Sequence, residues 1–273
     1  MIDDIDIAAF QAVVRDYYDA HGRHDLPWRQ PESDGTFDPY KVLVSELMLQ
    51  QTQVSRVIPK FIDFIKQFPT SASLADAPLS AVLRAWNGLG YNRRAKFLQE
   101  AARIITNRYD GTFPDQTAEL IQLPGVGVNT AGALMAYAFG QPVSFVETNI
   151  RAVFIYHFFK NQTAIADKAI LELVAATLVK SGPRTWYWGL MDYGSYLKQS
   201  AGNPNRTSSS YSRQSKFAGS RRQIRGQVIR LLADHAYTLS ELGAAITDKR
   251  LDDVLDELLK EGLIHKAGQR FNL

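Results

Sequence analysis

The chain has 273 residues, of which 45% are hydrophobic and 22% charged, and its formal net charge is +3. These values are typical of a globular protein with two or three structural units, and they exclude a small cofactor-dependent miniprotein. The absence of cysteine excludes disulfides, zinc-thiolate sites, thiol catalysis and a cysteine-ligated iron–sulfur cluster.

The N-terminal segment, MIDDIDIAAF, carries acidic residues where a secretory signal would carry Lys or Arg. The longest apolar runs are also too short to cross a membrane. We therefore expect a cytoplasmic protein without a membrane partner. From here to about residue 200, apolar residues recur mostly at helical spacing and are punctuated by glycine and proline stops. This pattern predicts an all-α region.

A carboxylate stands inside an apolar run, PYKVLVSELMLQQTQV, at residues 39–54. The run predicts a helix on which apolar side chains surround Glu46 on nearly every side. Such a carboxylate loses hydration, so its pKa rises and it can donate a proton near neutral pH. The alternative is a buried glutamate that is satisfied by a backbone or arginine partner. Glu46 is thus a candidate catalytic acid.

A glycine turn followed by an apolar helix is predicted at residues 123–140, LPGVGVNTAGALMAYAFG. Gly125 and Gly127 can take positive φ, and the amides of the turn and of the helix start, at Asn129 or Thr130, can then point outward toward a phosphate. Most Gly-x-Gly turns merely join helices. The flanking Leu-Pro and Thr-Ala-Gly-Ala make this one more specific.

A second carboxylate, Glu147, directly precedes another predicted helix in the segment SFVETNIR at residues 144–151. Free amides and the dipole of that helix would keep this carboxylate ionised. The alternative is that Glu147 or Thr148 only starts the helix. Two carboxyl groups in such different environments suit a reaction that needs one protonated and one charged group.

A basic segment follows, with eight Lys or Arg residues and no Asp or Glu from Lys198 to Arg230. Its Ser, Gly and Asn content predicts a linker at 201–219, which is either a solvated tether or a phosphate-contacting segment.

Three helices and a small hairpin are predicted after the linker, in an order that resembles a winged helix-turn-helix, and the third helix carries an apolar stripe from Leu251 to Leu259 at i, i+3, i+4, i+7 and i+8. The helix that would enter a major groove is mostly acidic, which favours repulsion from phosphates. Contact with DNA and contact with protein therefore remain equal alternatives for this region. The acidic residues are Asp248, Asp252, Asp253, Asp256, Glu257 and Glu261, against Lys249, Arg250 and Lys260.

Together these segments resemble the helix-hairpin-helix superfamily of DNA base-excision glycosylases, and among them the adenine glycosylases of A/G mismatches (the MutY type). The resemblance runs from about Leu26 to Gly194. It is carried by SELMLQQTQV around Glu46, by GLGYNRR at 88–94, by the glycine turn and by MDYG at 191–194. It implies a mostly α, two-lobed glycosylase domain at 1–200, with a six-helix lobe at about 38–130 and a second lobe formed by the N-terminal helix and 131–200. The linker at 201–219 and a winged-helix-like domain at 220–273 would follow.

The resemblance also implies roles for individual residues. Glu46 would protonate the departing base and handle the water, Glu147 would balance positive charge on the sugar, and Asn149 would orient the carboxylate or a water. The flipped-base pocket would be lined by Leu26, Trp28 and Arg29. DNA would be contacted by Gln50, Gln51 and Tyr91, which would act as wedges, and by Arg93, Arg94, Gly125, Gly127, Asn129 and Thr130. Hairpins of this type often enlist a monovalent cation, but the five histidines show no metal-ligand spacing and no catalytic metal is expected.

The chain departs from the adenine glycosylases at two places, Glu147 and the missing cysteines, and it differs from the related endonuclease III type at Asn129. Glu147 stands where the adenine glycosylases normally have aspartate, so its carboxylate reaches farther by one methylene. Asn129 stands where the bifunctional endonuclease III type has its Schiff-base lysine, so no imine can form there and strand cleavage is not expected. The four cysteines of the usual [4Fe–4S] cluster are missing, and the basic segment takes their place.

The expected function is that of a monofunctional glycosylase, which acts as a monomer on double-stranded DNA with a mismatched or damaged base. The expected substrate is adenine opposite guanine or 8-oxoguanine. Two alternatives remain open. One is removal of another base, such as thymine or uracil opposite guanine, or hypoxanthine. The other is a noncatalytic DNA-binding module, which would have no need for a buried acid such as Glu46.

Overall fold

Helices dominate the computed structural model, which describes residues 6–273. The predicted mostly α fold is thereby confirmed. By its internal contacts the chain divides into two units. The first comprises the described residues up to Val42, Asp115–Gln122 and Val126–Arg213, and the second comprises Leu43–Pro114, Leu123–Gly125 and Gln214–Leu273. The predicted domain boundaries at 200 and 220 stay predictions.

The first unit is built from helices and short 3-10 turns. Its helices are α1 (Ile7–His21), the start of α2 (Pro39–Leu49), α7 (Thr117–Leu120), α8 (Val128–Tyr137), α9 (Thr148–Phe158), α10 (Asp167–Thr177) and α11 (Pro183–Ser200), and its 3-10 turns are Pro27–Arg29 and Pro204–Thr207.

The core of the first unit is centred on α1, α9 and α11. The ring of Phe10 meets those of Phe154, Phe158 and Trp186 edge-on, with centroids 4.8 to 5.8 Å apart. Where α9 and α11 touch, a Cβ on Gly194 would collide with the backbone of Asn149. Glycine at 194 therefore allows the two helices to approach closely, and it fixes the start of α9.

The second unit comprises the end of α2, four helices between residues 54 and 108, and the C-terminal helices and strands. The helices are α3 (Val54–Gln67), α4 (Ser71–Asp76), α5 (Leu79–Trp86), α6 (Arg93–Arg108), α12 (Arg221–Leu232), α13 (Leu239–Ala245) and α14 (Leu251–Lys260). The strands β1 (Tyr237–Thr238), β2 (His265–Ala267) and β3 (Arg270–Asn272) form an antiparallel sheet in the order β1-β3-β2. The three predicted helices and the hairpin are thus present, and β1 is an additional strand. Their identification as a winged helix stays a prediction.

The C-terminal helices pack through the stripe that their sequence predicted. Leu251, Val254, Leu255 and Leu258 of α14 are all at most 5% exposed. The acidic side of α14 is paired within the protein: Arg221 bonds Asp253 and Glu257, while Arg225 bonds Glu257 and Glu261. Packing between α12 and α14 therefore accounts for much of the negative charge that set this helix apart in the sequence.

The C-terminal elements are also fastened to α5 and α6 of the same unit. The Lys96 ammonium donates to the carbonyl oxygen of Glu261 at 2.6 Å, and the Arg84 side chain donates to that of Ala233 at 3.0 Å. Among residues 6–273, no helix is both long enough and apolar enough to span a bilayer.

Candidate active site and nucleic-acid interface

Glu46 lies near the C-terminal end of α2, one turn before the helix ends at Leu49. Its neighbours Ser45, Leu47 and Met48 are almost fully buried. Glu46 itself is half-buried, so the sequence-based expectation of a carboxylate enclosed on nearly every side holds only in part. A partly exposed carboxyl group on a buried helix can reach a substrate while its backbone stays fixed.

Arg94 holds the end of this helix. Its guanidinium donates to the carbonyl oxygens of Leu47 (2.5 Å) and Met48 (3.0 Å), which a helix end leaves without intrahelical partners, and to that of Gln50 (2.6 Å) just after the helix. It also donates to the carbonyl oxygens of Leu89 and Gly90, and so connects the helix end to the loop before α6.

The direct DNA contact predicted for Arg94 is therefore corrected. The residue is 7% exposed and its donors are used mainly by main-chain oxygens, so it holds the end of α2 and the loop before α6 from inside the protein. Burial lowers its pKa to about 10, which leaves it charged at neutral pH. Its neighbour Arg93 is exposed, with its guanidinium carbon 5.1 Å from the centre of the Phe97 ring, and it remains a candidate for phosphate contact.

The two predicted wedge residues share an unusual backbone. Gln51 has φ 55° and Tyr91 has φ 48°, both in the left-handed region, and both side chains are exposed. Gln50, the third predicted wedge, is half-buried.

The glycine turn departs from expectation at one of its glycines. Gly125 has φ 79°, and a Cβ there would lie 3.0 Å from Phe97 and 3.1 Å from Leu47, so the turn packs tightly against the Glu46 helix. Gly127, for which the sequence suggested a similar use of positive φ, instead has φ −90° and ψ 178° as the N-cap of α8. Any residue can adopt that backbone, so Gly127 contributes the open space next to it rather than its conformation.

The start of α8 combines exposure with attachment. Helix α8 begins at Val128, one or two residues earlier than predicted, and Val128 and Asn129 are exposed while Thr130 is buried. The side-chain oxygen of Asn129 accepts from the backbone N–H of Val146, 3.4 Å away. Asn129 thus links the hairpin to the segment that leads into Glu147. The first amides of α8 remain suitable for a phosphate, as the sequence predicted.

Glu147 is the N-cap residue of α9, as its position before a helix predicted, but its side chain makes no capping hydrogen bond to the described helix. Its catalytic role and the alternative role as a simple helix start both stay predictions. Burial and then the charge of Arg23 lower the pKa of Lys198, and the Glu147 carboxylate acts in the opposite direction. Lys198 was not expected near Glu147, because only the packing of α11 on α9 brings them together.

Asn149 is held in the first turn of α9, where its backbone touches Gly194. Its amide nitrogen donates weakly to the Met191 sulfur at 3.8 Å, and its side-chain oxygen is buried without a hydrogen-bond partner among the described residues. A buried acceptor of this kind is available to a ligand or an ordered water.

The three predicted base-pocket residues are all buried in the first unit, with Leu26, Trp28 and Arg29 at 6 to 8% exposure. Arg29 makes a two-pronged ion pair with Asp192 at 2.8 and 3.0 Å, and Arg23 pairs with the same carboxylate. Burial alone would raise the pKa of Asp192, but bonding to Arg29 and then to Arg23 outweighs it, so the pKa lies below its usual value. This ion pair fastens the segment at 26–29 to α11.

Part of the predicted linker is packed on the first unit. The Asn205 amide donates to the carbonyl oxygen of Thr148 at 3.0 Å, and the backbone of Ile165 bonds to those of Thr207 and Ser209. At 203–209 the segment therefore follows a fixed path beside Glu147, and the interpretation as a free tether does not apply to this part.

The site residues fall into two groups. The second unit brings the Glu46 helix together with Arg94, Tyr91 and Gly125, and the first unit brings Glu147 together with Asn149 and Lys198. That the two carboxyl groups flank one extruded nucleotide stays a prediction.

A cysteine-ligated iron–sulfur cluster does not fit this chain, since it contains no cysteine. Within the part of the chain that the structure describes, no three His, Asp or Glu side chains are grouped as metal ligands would be. A monovalent cation at the hairpin stays a prediction.

Comparison with known proteins identifies relatives along most of the chain. Residues 44–176 match the model of the HhH-GPD superfamily base excision DNA repair proteins. The chain is similar to a protein of Mycolicibacterium smegmatis named adenine DNA glycosylase, with 36% identity over 94% of this chain and 93% of that protein. It is 43% identical to the human adenine DNA glycosylase over 54% of this chain, but this covers only 28% of the human protein.

Solved structures support the same fold. A thermostable thymine-DNA glycosylase aligns with a TM-score of 0.61 and 28% identity, covering 69% of this chain and 85% of that one. An endonuclease III–DNA complex aligns with a TM-score of 0.53 over 71% of this chain and 86% of the other. At 17% identity, it shows likeness of fold alone.

Proposed function

The chain belongs to the adenine DNA glycosylases of the HhH-GPD base excision repair superfamily, and from this premise we propose how it acts on an adenine mispair. It is a DNA glycosylase, and the proposed substrate is adenine opposite guanine or 8-oxoguanine in double-stranded DNA. The proposed enzyme acts as a monomer, is monofunctional and leaves an abasic site uncut.

The observation that carries the proposal is the way in which the helix with Glu46 is held by its neighbours. Its helix ends on the Arg94 guanidinium, and Leu47 lies against the tight turn at Gly125. The glycine turn is thereby packed on the helix that carries the carboxyl group, and this turn is proposed to contact the DNA backbone beside the bond on which Glu46 acts.

The proposed reaction breaks the bond between the adenine nitrogen and C1′ of the sugar. Glu46 gives a proton to the departing adenine, so the base leaves as a neutral molecule. Positive charge develops on the sugar and is balanced by the Glu147 carboxylate. Water then adds to C1′, and its proton returns to Glu46. The side-chain oxygen of Asn149, which is buried without a hydrogen-bond partner among the described residues, is proposed to accept a hydrogen bond from the nucleotide or from that water.

Strand cleavage is not part of the proposal. A glycosylase with lyase activity needs an amine that forms an imine with the sugar, and Asn129 supplies none at the position where the endonuclease III type has its lysine. The exposed amides at the start of α8 and Arg93 on α6 are proposed to hold phosphates instead.

A panel of duplexes tests the proposal. The protein is incubated with duplexes that contain A opposite 8-oxoguanine, A opposite G, T or U opposite G, or hypoxanthine. Sites that break only after alkali are scored separately from untreated nicks. Release of adenine without untreated nicks is expected. Preferential release of thymine, as in the similar thymine-DNA glycosylase, would refute the proposed substrate, and untreated nicks would refute the monofunctional reaction.

A glutamine substitution at Glu46 tests the proposed acid. Glu46→Gln keeps the shape of the side chain but removes its titratable proton, so adenine release should fall by about 10² to 10⁴ while DNA binding persists. Glu172→Gln is the matched control, because Glu172 is an exposed glutamate on α10. Equal activity of the two variants would exclude Glu46 as the acid.

A further inference from the structure

The exposed residues Tyr91 and Gln51 must be held in place by neighbours. Both have left-handed backbone conformations, which cost free energy for residues other than glycine. Such conformations persist only where the surrounding structure fixes them. The neighbours that do so come from the C-terminal region of the chain.

Gln214 bonds directly to both exposed side chains, and Arg222 bonds to that of Tyr91. The Gln214 amide donates to the Gln51 side-chain oxygen at 2.9 Å and also to the Tyr91 hydroxyl. Arg222 donates to the same hydroxyl at 2.6 Å, and its guanidinium carbon lies 5.6 Å from the centre of the Tyr91 ring. Arg222 further donates to the carbonyl oxygen of Ser215 at 2.6 Å, which fixes the residue next to Gln214. The contacts therefore form one connected network.

The geometry of α12 assigns Arg222 to this task. Arg221 and Arg225 are four positions apart, so they share a face, and both pair with acidic residues of α14. Arg222 lies on a different side of the helix, where its guanidinium donates to the Tyr91 hydroxyl. A cavity of about 440 Å³ runs between this side of α12 and the loops that carry Gln51 and Tyr91.

We propose that Arg222 and Gln214 are positioning residues that preorganise Tyr91 and Gln51 for insertion into the base stack at a mispair. The proposal rests on the proposed function, in which these two side chains act as wedges. Opening a base pair costs free energy. An ordered wedge loses less conformational entropy on insertion than a mobile one, so more of its interaction energy offsets that cost. The C-terminal region thereby takes part in substrate opening.

The test compares a paired with an unpaired adenine. Single-turnover release is measured for A opposite G in a duplex, and for the same adenine in a bubble of three unpaired nucleotides. With Arg222→Ala or Gln214→Ala, the rate on the duplex should fall about tenfold, while the rate on the bubble changes less than about twofold. Arg230→Ala is the control, because it removes the same charge from an exposed position of α12 and should change neither rate.

A double-mutant cycle tests whether Arg222 acts through the hydroxyl. Tyr91→Phe removes only the hydroxyl and should slow release on the duplex as Arg222→Ala does. Combining the two should bring little further loss, because the second substitution then has nothing left to remove. The proposal is overturned if the rate loss of the double variant equals the product of the two single losses. It is also overturned if Arg222→Ala slows release equally on the duplex and on the bubble. Arg222→Lys keeps the charge and a donor and should recover part of the rate.

A fluorescence measurement separates this proposal from the proposed function. 2-Aminopurine is placed beside the mispair, and its emission rises when it unstacks at saturating protein. The rise should be roughly halved in Arg222→Ala and unchanged in Arg230→Ala, whether or not adenine is released. Equal rises in both variants, or no rise with the unaltered protein, overturn the positioning role. Absence of adenine release by the unaltered protein overturns the proposed function alone.

Discussion

Replacing Arg94 by lysine should destabilise the protein more than its conservative chemistry suggests. The guanidinium makes seven hydrogen bonds of 2.5 to 3.4 Å, six of them to main-chain oxygens. A lysine ammonium has three donors where the guanidinium has five, and its single nitrogen cannot reach the acceptors on both sides of the guanidinium, so about three or four of these contacts should be lost. Each partly buried acceptor left without a donor costs about 1 kcal/mol, so the free energy of unfolding should fall by roughly 3 to 4 kcal/mol.

Denaturant unfolding followed by circular dichroism measures this loss. Arg93→Lys is the matched control at the next position, because Arg93 is exposed and contacts only the Phe97 ring among the interactions seen for it. Its effect should stay within about 0.5 kcal/mol. A loss below about 1 kcal/mol for Arg94→Lys, or one equal to that of Arg93→Lys, would show that the main-chain contacts of Arg94 contribute little.

Substitutions at three other positions test the remaining interpretation. Gly194→Ala should cost about 3 kcal/mol or prevent folding, whereas Gly243→Ala, with open space at Cβ, should be neutral or stabilising; comparable unfolding curves would refute the close helix contact. Asp192→Asn should cost about 3 to 5 kcal/mol. Because the pKa of Asp192 is lowered on folding, its stabilisation is complete above about pH 4 and is lost as pH falls through the folded value, so the two proteins should converge in acid; a gap independent of pH would contradict this. Glu147→Asp should retain adenine release, whereas Glu147→Gln should lower its rate about 10²-fold. An equal loss of rate in both variants would exclude a requirement for negative charge at this position.

The sequence predicted those features that depend on neighbouring residues. The helix with Glu46, the glycine turn, the position of Glu147 before α9 and the apolar stripe of α14 follow from local spacing, and the structure has them where they were expected. Helix starts were less certain, because Gly127 can serve either as a turn residue or as an N-cap.

The sequence could not reveal which distant residues meet. In the sequence Arg94 resembles a phosphate-contacting residue. In the structure its guanidinium donates instead to carbonyl oxygens at the end of α2, more than forty positions earlier. The acidic residues of α14 look unpaired until α12 supplies arginines to them. Likewise, no local pattern connects Arg222 with Tyr91, because their contact depends on how α12 is docked.

The packed stretch at 203–209 has a consequence for how the protein can diverge. Apart from the amide of Asn205 and the hydroxyls of Ser208 and Ser209, its attachment at Ile165 runs through main-chain atoms, which every amino acid except proline supplies. Drift at most of these positions would leave the path of the stretch intact, whereas Asn205 reaches the first residue of α9 with its own side chain. Relatives could therefore keep this attachment next to Glu147 although their sequences differ at most positions of 203–209, with the asparagine at 205 as the residue that they continue to share.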